Sequence, residues 1–396
     1  MSDILVNQLS NSNLIVLYTA GAGAQALCHF TLHPGSSKYA LESSSFYAKG
    51  SLEMLLNQSI TKFVTKQVAE DMALKALIRS HEIQIKEDSF DKFNSTLGIG
   101  ITAAIRSVND RQGKHHAFIC LNYGIIKFTY YLDLVKGIRT REQEDQFISD
   151  VVFQLILKHS NQQSISNEQQ FQDQSISNLD NASIMLINQE SMNQNLIQSL
   201  QTSPNLLQSI LFTTNQYQLN PIIQNAIIMS GSFNPIHDGH IELAQKAQNL
   251  LQLNTFYFEL SIINADKKDI TVQEVEKRLE LIKKFHPNII LSNKAYFKDK
   301  NQFLKNGAFA IGIDTYKRLV DLKYYNNSIQ ERDLSLFSFL QNNNKIIVAP
   351  RYNDAQQKLE SLNDYGIPKI LEGNVIELND FRNDISSTKI RQSEGK

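Results

Sequence analysis

Tryptophan is absent from this chain, and cysteine is nearly so: 396 residues contain two thiols, Cys28 and Cys120. Two cysteines cannot build a disulfide framework or a thiolate zinc site, so both are excluded and buried, reduced thiols are expected. No apolar run approaches the ~18–20 residues that span a bilayer. The opening MSDILVNQLSNSN lacks a basic stretch followed by an apolar core, so no signal peptide is expected. Neither sign of charge dominates, with 39 Lys plus Arg against 40 Asp plus Glu. Such a balance creates no global field for nucleic acid or an anionic membrane, and neither is expected as a partner. A local phosphate site needs only a few groups and stays open. These absences point to a cytoplasmic protein and leave the nucleus open.

What is present divides the chain. The length exceeds one ordinary core, so two domains are expected. Residues 1–160 read as α/β. Leu14–Tyr18 is a short strand entering the Gly-containing TAGAGA, and Thr65–His81 has helical spacing. Leu97–Ile105 and His116–Tyr131 look like strands, and Arg141–His159 is an amphipathic helix. Residues 161–221 are expected to be a linker, because NQQSISNEQQFQDQSISN is Gln, Asn and Ser with little to bury. Asn205–Tyr217, more apolar, is expected to be a helix packing back on one domain.

From Ile222 to residue 396 strands and helices alternate. Ala226–Ser230, Phe256–Ile262, Asn288–Leu291, Phe309–Ile313 and Lys345–Ala349 read as short buried strands, with helices such as Ile241–Leu251 and Val272–Phe285 between them. This alternation implies a mostly parallel sheet covered on both faces. Its ligands would bind at the carboxyl ends of the strands.

The segment Ser230–His240, SGSFNPIHDGH, lies between a strand and a helix. Gly231 and the small Ser232 let backbone N–H groups approach a phosphate. Pro235 stiffens the loop, and Gly239 keeps bulk from the helix entrance. His237 and His240, three apart, project from the same side of a first helical turn. With the N–H donors of that turn they form a clamp for a phosphate gaining charge.

GSFNPIHDGH resembles the signature of nucleotidyltransferases with an H/T-x-G-H core, in the form found in nicotinamide and nicotinate mononucleotide adenylyltransferases. Ile385–Arg391, ISSTKIR, is similar to a second motif of that family. There Ser386, Ser387 and Thr388 divide helix capping and triphosphate binding with Arg391. Phe309–Arg318 resembles the G-x-D segment, with Gly312 giving close approach and Asp314 accepting from ribose hydroxyls. Asn264–Lys268 supplies a phosphate-contacting lysine, taken as Lys267. LSIINADKK and DTYKRLVDLKYY carry a weaker likeness to fungal and plant adenylyltransferase-like proteins.

The resemblance implies a Rossmann-like doubly wound sheet that condenses ATP, brought with Mg²⁺, with a nicotinamide or nicotinate mononucleotide. His237, His240, Lys267 and Arg391 would be catalytic. Ser230, Gly231, Ser232, Phe233, Asn234, Gly312, Asp314, Ser386, Ser387 and Thr388 would bind substrate. No protein metal ligands are expected. Many animal members stack the base on tryptophan, so Tyr296, Phe297 or Tyr316 would have to serve here. Transfer to another phosphate acceptor, and nucleotide binding without turnover, remain the alternatives. Homo-oligomerisation is left open.

The N-terminal segment resembles a diverged CinA-type nicotinamide-nucleotide amidase in Thr31–Tyr39 (TLHPGSSKY), Tyr47 and LGIGITAAI. Counting back from Pro34, Ala20 stands where that family has its serine, and Leu52 where it has a lysine. A serine hydrolase without either has lost its nucleophile and its activation, so a non-catalytic domain is expected. Thr19, Lys49 and Ser51 stand near enough to replace lost groups. His115, His116 and Cys120 read as a strand start and a core thiol.

Overall fold

The computed structural model describes residues 13–89, 95–108, 112–124, 126–160, 182–190, 192–214, 216–263, 270–353, 357–381 and 387–393. The chain divides into two compact units, Met1–Leu206 and Leu207–Lys396.

In the first unit the elements run β1 (Leu14–Ala20), α1 (Ala24–Leu32), β2 (Ala40–Ser45), α2 (Lys49–Leu56), α3 (Lys66–Lys86), β3 (Thr96–Ala104), β4 (His115–Asn122), β5 (Lys127–Leu134), α4 (Arg141–Ser160), β6 (Ala182–Glu190) and α5 (Met192–Thr202). The strands form one sheet in the order β2-β1-β3-β4-β5-β6. β1 is parallel to β2 and β3, and the remaining pairs are antiparallel. β3 lies against α3 so closely that a Cβ on Gly98 or Gly100 would sit 2.2 Å from a helix carbonyl oxygen. Ala20 ends β1, and Leu52 is a buried core residue of α2. Lys49 instead lies on the surface beside Glu53. Cys120 is buried, as expected of a core thiol, whereas Cys28 is exposed. His115 is also buried, paired with Glu144 at 2.8 Å.

The entrance to α1 is closed by α4. Asp145 accepts the N–H groups of Gly23, Ala24 and Gln25 at 2.7, 3.1 and 2.9 Å. Ser149 Oγ accepts that of Ala26 at 2.9 Å. One turn earlier on α4, Arg141 donates to the carbonyl oxygen of Arg106 (2.6 Å) and the Tyr47 hydroxyl (3.2 Å). The donors left open at a helix start are thus used within the unit itself.

The second unit runs β7 (Ser209–Phe212), β8 (Tyr217–Leu219), β9 (Ile223–Gln224), β10 (Ala226–Ser230), α6 (Asp238–Leu251), β11 (Thr255–Ser261), α7 (Val272–Lys283), β12 (Ile289–Ser292), α8 (Phe297–Lys300), β13 (Leu304–Lys305), β14 (Ala308–Gly312), α9 (Ile313–Val320), α10 (Ile329–Gln341), β15 (Lys345–Ala349), β16 (Arg351–Asn353), β17 (Lys358–Glu360), β18 (Val375–Glu377) and α11 (Ser387–Ser393). Its main sheet has the order β18-β15-β14-β10-β11-β12-β7-β8. The six strands from β18 to β12 are parallel. Counted from β10, their order is 3-2-1-4-5-6, the doubly wound arrangement whose direction of winding reverses beside its first strand. That reversal lies between β10 and β14. Burial on both faces explains why AIIMS, AFAIG and KIIVA read as unbroken apolar runs.

The structure differs from the expected boundaries. Residues 161–181 lie outside the described residues. α5 belongs to the first unit, and its Leu196, Ile197 and Leu200 are fully buried. β6 pairs with β5. In place of a helix over Asn205–Tyr217 there is the hairpin β7–β8, with β7 antiparallel to β12. Four buried residues, SILF, are too short a run for periodicity to separate strand from helix.

Candidate active site

β10 delivers the chain at Ser230 into a loop that turns back to start α6, and the N–H of Gly231 still bonds the carbonyl oxygen of Glu259 on β11 (3.0 Å). Phe233, with φ +44°, folds its ring under the loop. It is buried and packs edge-on against His240 and Phe258, with centroids 5.2 Å apart in each case. A Cβ on Gly231 would lie 2.8 Å from this ring, so the packing of Phe233 by itself calls for glycine there. Arg278 holds the far side of the loop through the Ser232 carbonyl oxygen at 3.1 Å.

His237 caps α6 in extended conformation, and its N–H donates to Nδ1 of His240 at 3.2 Å. That bond makes Nδ1 an acceptor, so the neutral ring carries its proton on Nε2. The two imidazoles face each other with centroids 3.8 Å apart. Burial, and then the neighbouring His237, push the pKa of His240 down to about 3. Burial lowers His237 as well; Asp238 opposes that shift and Arg351 adds to it. Both rings are therefore neutral near pH 7. Nδ1 of His237 and Oγ of Ser230 are buried atoms with no hydrogen-bond partner.

These groups line a cavity of about 510 Å³ at the sheet's reversal. Across from the histidines, Gly312 caps α9, and a Cβ there would meet nothing within 4 Å. Asp314, on the first turn of α9, pairs with Arg351 at 2.5 Å and with Lys317 at 3.5 Å. Another part of the wall is made by Tyr296, Phe297, Lys298, Lys300 and Tyr324. Lys300 reaches inward to fully buried Glu259 at 2.7 Å, and Glu259 also accepts from Ser292 at 2.5 Å.

Of the residues singled out in the sequence, Ser230, Gly231, Ser232, His237, His240, Gly312, Asp314 and Ser387 line the cavity. Phe233 and Asn234 do not. Phe233 supports the loop from beneath, and the carbonyl oxygen of Asn234 accepts from Arg391. Arg391 likewise lies off the described wall, and Ser387 donates to the carbonyl oxygen of Pro235. Lys267 and Ser386 lie outside the described residues, as does the side chain of Thr388. Among the aromatic candidates, Tyr316 is fully buried with its hydroxyl on the Gly366 carbonyl oxygen, so it cannot stack on a ligand. Tyr296 is 42% exposed on the wall. Arg351 was not anticipated, although its place two residues beyond strand KIIVA is where the strand-end rule points.

A cavity lined by two facing imidazoles thus sits at the reversal of a doubly wound sheet, and the comparisons narrow its class. Residues 228–393 match the family model described as cytidylyltransferase-like. The chain is 28% identical over 182 residues to a probable nicotinate-nucleotide adenylyltransferase of Dehalococcoides mccartyi, covering 42% of this chain and 82% of that protein. A protein of the same description from Carboxydothermus hydrogenoformans is 35% identical over 78 residues, 19% of this chain and 39% of that one. The second unit carries a nucleotidyltransferase-like domain.

Two solved structures are similar at lower levels. The competence/damage inducible protein CihA of Agrobacterium tumefaciens has 14% identity and a TM-score of 0.31, over 39% of this chain and 90% of that one. A competence-damaged protein (CinA) superfamily member from Enterobacter cloacae has 9% identity and a TM-score of 0.30, over 40% and 88%. Likeness at those TM-scores decides nothing about chemistry.

Proposed function

We propose that the second unit joins ATP to nicotinamide or nicotinate mononucleotide, giving the dinucleotide and pyrophosphate. A phosphate oxygen of the mononucleotide attacks the α-phosphorus of ATP in line, and the bond to the oxygen bridging to the β-phosphate breaks. No covalent enzyme intermediate is required, so positioning and charge stabilisation supply the rate. The observation that carries this reading is the His237–His240 pair at the start of α6. Fixed as a neutral Nε2–H donor on the first turn of α6, His240 suits an oxyanion that gains charge during transfer. The resemblance of the loop and the similarity to the Dehalococcoides protein support the choice of acceptor.

Mg²⁺ fits as part of the ATP substrate. Asp314 is the one carboxylate among the described wall residues, and it is already paired. Among the described residues no three His, Cys, Asp or Glu side chains gather to hold a metal. A metal held by phosphate oxygens and water needs no more, and when bound it neutralises those oxygens. The first unit is proposed to be non-catalytic, since β1 ends in a methyl group and Leu52 is sealed in its core.

The deciding experiment incubates the full chain with ATP, Mg²⁺ and single acceptors, and measures pyrophosphate. Release with nicotinamide or nicotinate mononucleotide alone supports the assignment. Release only with a phosphopantetheine-like or alcohol-phosphate acceptor moves it to another transfer, and ATP binding without release makes the site regulatory.

A further inference from the structure

We propose that Arg351 is a phosphate-binding residue of this site, held by Asp314 while the cavity is empty and passed to the phosphate oxygens of the ligand. This rests on the reading of the cavity as an ATP site.

The need for such a group follows from charge. A triphosphate brings several negative charges into a cavity whose two histidines are neutral. Arg391 donates to a loop carbonyl oxygen and lies off the described wall. Lys300 faces the wall but is bound to buried Glu259. Of the described cationic side chains that remain on the wall, Lys298 lies by the ring of Tyr296, with its ammonium 5.8 Å from the centroid. Arg318 stands on the second turn of α9. Arg351 alone follows directly from a strand end, and its charge is felt at His237.

Its mounting suits an exchange. Arg351 opens β16, and its register partner across the hairpin is Glu360. Glu360 is itself fixed by Lys317 and by Asn353, the latter at 2.9 Å, so the hairpin is tied to α9. The guanidinium–carboxylate pair is about half exposed on both sides, at 47% and 49%, and a pair so solvated is weak and readily traded. Beside it, the open space over Gly312 leaves room for a ligand. Hydroxyl donors of the ligand can take Asp314, and the planar guanidinium matches phosphate oxygens two at a time.

The alternative is an ion pair that merely braces the two strand ends. The roles differ in sign. If Arg351 binds phosphate, removing it weakens binding, whereas neutralising Asp314 frees it and strengthens binding. A brace loses from either change. The test is titration of inorganic pyrophosphate into the full chain by calorimetry, for the parent, Arg351→Gln, Arg351→Lys and Asp314→Asn, with thermal midpoints as a folding control. Arg351→Gln is expected to weaken pyrophosphate binding roughly 10- to 100-fold, the range for a hydrogen bond to a charged group. Arg351→Lys should recover part of it, and Asp314→Asn should bind more tightly than the parent. In turnover, Arg351→Gln should raise KM for ATP and leave KM for the mononucleotide within about twofold.

Equal weakening by Arg351→Gln and Asp314→Asn, or pyrophosphate affinity unchanged in Arg351→Gln, overturns this inference while a parent that makes dinucleotide keeps the proposed function. A parent that neither binds pyrophosphate nor releases it from ATP overturns both. Should Arg351→Gln fail to fold, the opposite sign expected of Asp314→Asn still decides the matter.

Discussion

Ser387 Oγ donates to the carbonyl oxygen of Pro235 at 2.8 Å, closing a gap of 152 residues. One turn further along α11, Arg391 reaches the carbonyl oxygen of Asn234, next in the same loop. The C-terminal helix therefore works as a clasp on the loop that carries both histidines. Ser387→Ala should lower the thermal midpoint modestly, by the ~1 kcal/mol of one hydrogen bond. Arg391→Ala should cost more in turnover than in stability, since a loosened loop misplaces the donors. Thermal unfolding alongside steady-state kinetics checks both. An Arg391→Ala protein with parental kcat would mean the clasp is idle.

His240 should matter for rate and little for folding. Asn at 240 can still accept the N–H of His237 through Oδ1, yet it cannot present a donor where Nε2–H stands. His240→Asn is expected to reduce kcat by ~10²–10³, the usual loss for one donor to a developing oxyanion. Its thermal midpoint should stay near the parent's. Retention of most of the activity would remove His240 from the mechanism.

The low pKa of His240 has a definite sign in stability. Its folded value of about 3 lies below the 6.5 of a free imidazole. As pH falls below about 6.5, the unfolded chain therefore takes up a proton that the folded protein refuses. Stability complete above that pH is lost progressively as pH falls towards 3. In the folded state the ring stays neutral, so its NMR signals should not titrate between pH 5 and 8. A midpoint near 6.5 in that titration would contradict the buried, hydrogen-bonded ring described above.

The second unit should fold and turn over as residues 207–396. A shorter piece beginning at 220 loses β7 and β8, which pair with β12 along Ile289–Ser292. Ile210, Leu211 and Phe212 are all buried, and each such side chain contributes ~1.5–3 kcal/mol. The shorter piece should be much less stable, with β12 exposed as a new edge prone to pairing between molecules. Equal thermal midpoints for the two pieces would show that the hairpin is dispensable.

The first unit, as residues 13–206, should release no ammonia from nicotinamide mononucleotide at high protein concentration. Activity that vanishes in a Lys49→Ala, Ser51→Ala double variant would reveal a rearranged second enzyme.

The sequence is most legible where structure is local. Ala226–Ser230, the loop after it and the start of α6 are one continuous strand–turn–helix, and every element of that reading depends on neighbours in the chain. Legibility falls where partners are remote. Nothing near Arg391 announces that it bonds a backbone carbonyl 157 residues away, and Phe233 lies in a motif yet spends its ring beneath the loop. The Gln- and Asn-rich stretch hid a helix because α5 is seated by Leu196, Ile197 and Leu200 together with buried polar residues such as Asn195, which composition alone reads as solvated. In SILF the burial of all four residues erased the alternation that would have identified a strand. From the sequence the cavity's charge balance reads as Lys267, which lies outside the described residues, and Arg391; Arg351 joins the candidates only once β14 and β15 are side by side.

In each unit a strand runs into the start of a helix, β1 into α1 and β10 into α6, and the two helix starts are treated differently. In the second unit Gly239 and His240, on the first turn of α6, line the cavity. In the first unit Asp145 already occupies the corresponding place at α1, anchored through the body of α4. Any phosphate or carboxylate arriving there competes with a tethered anion that never diffuses away, and it must outbid three hydrogen bonds made within the fold. The N-terminal unit thus meets the backbone donors of its first helix with a carboxylate of its own, a place that in the other unit is left to the cavity.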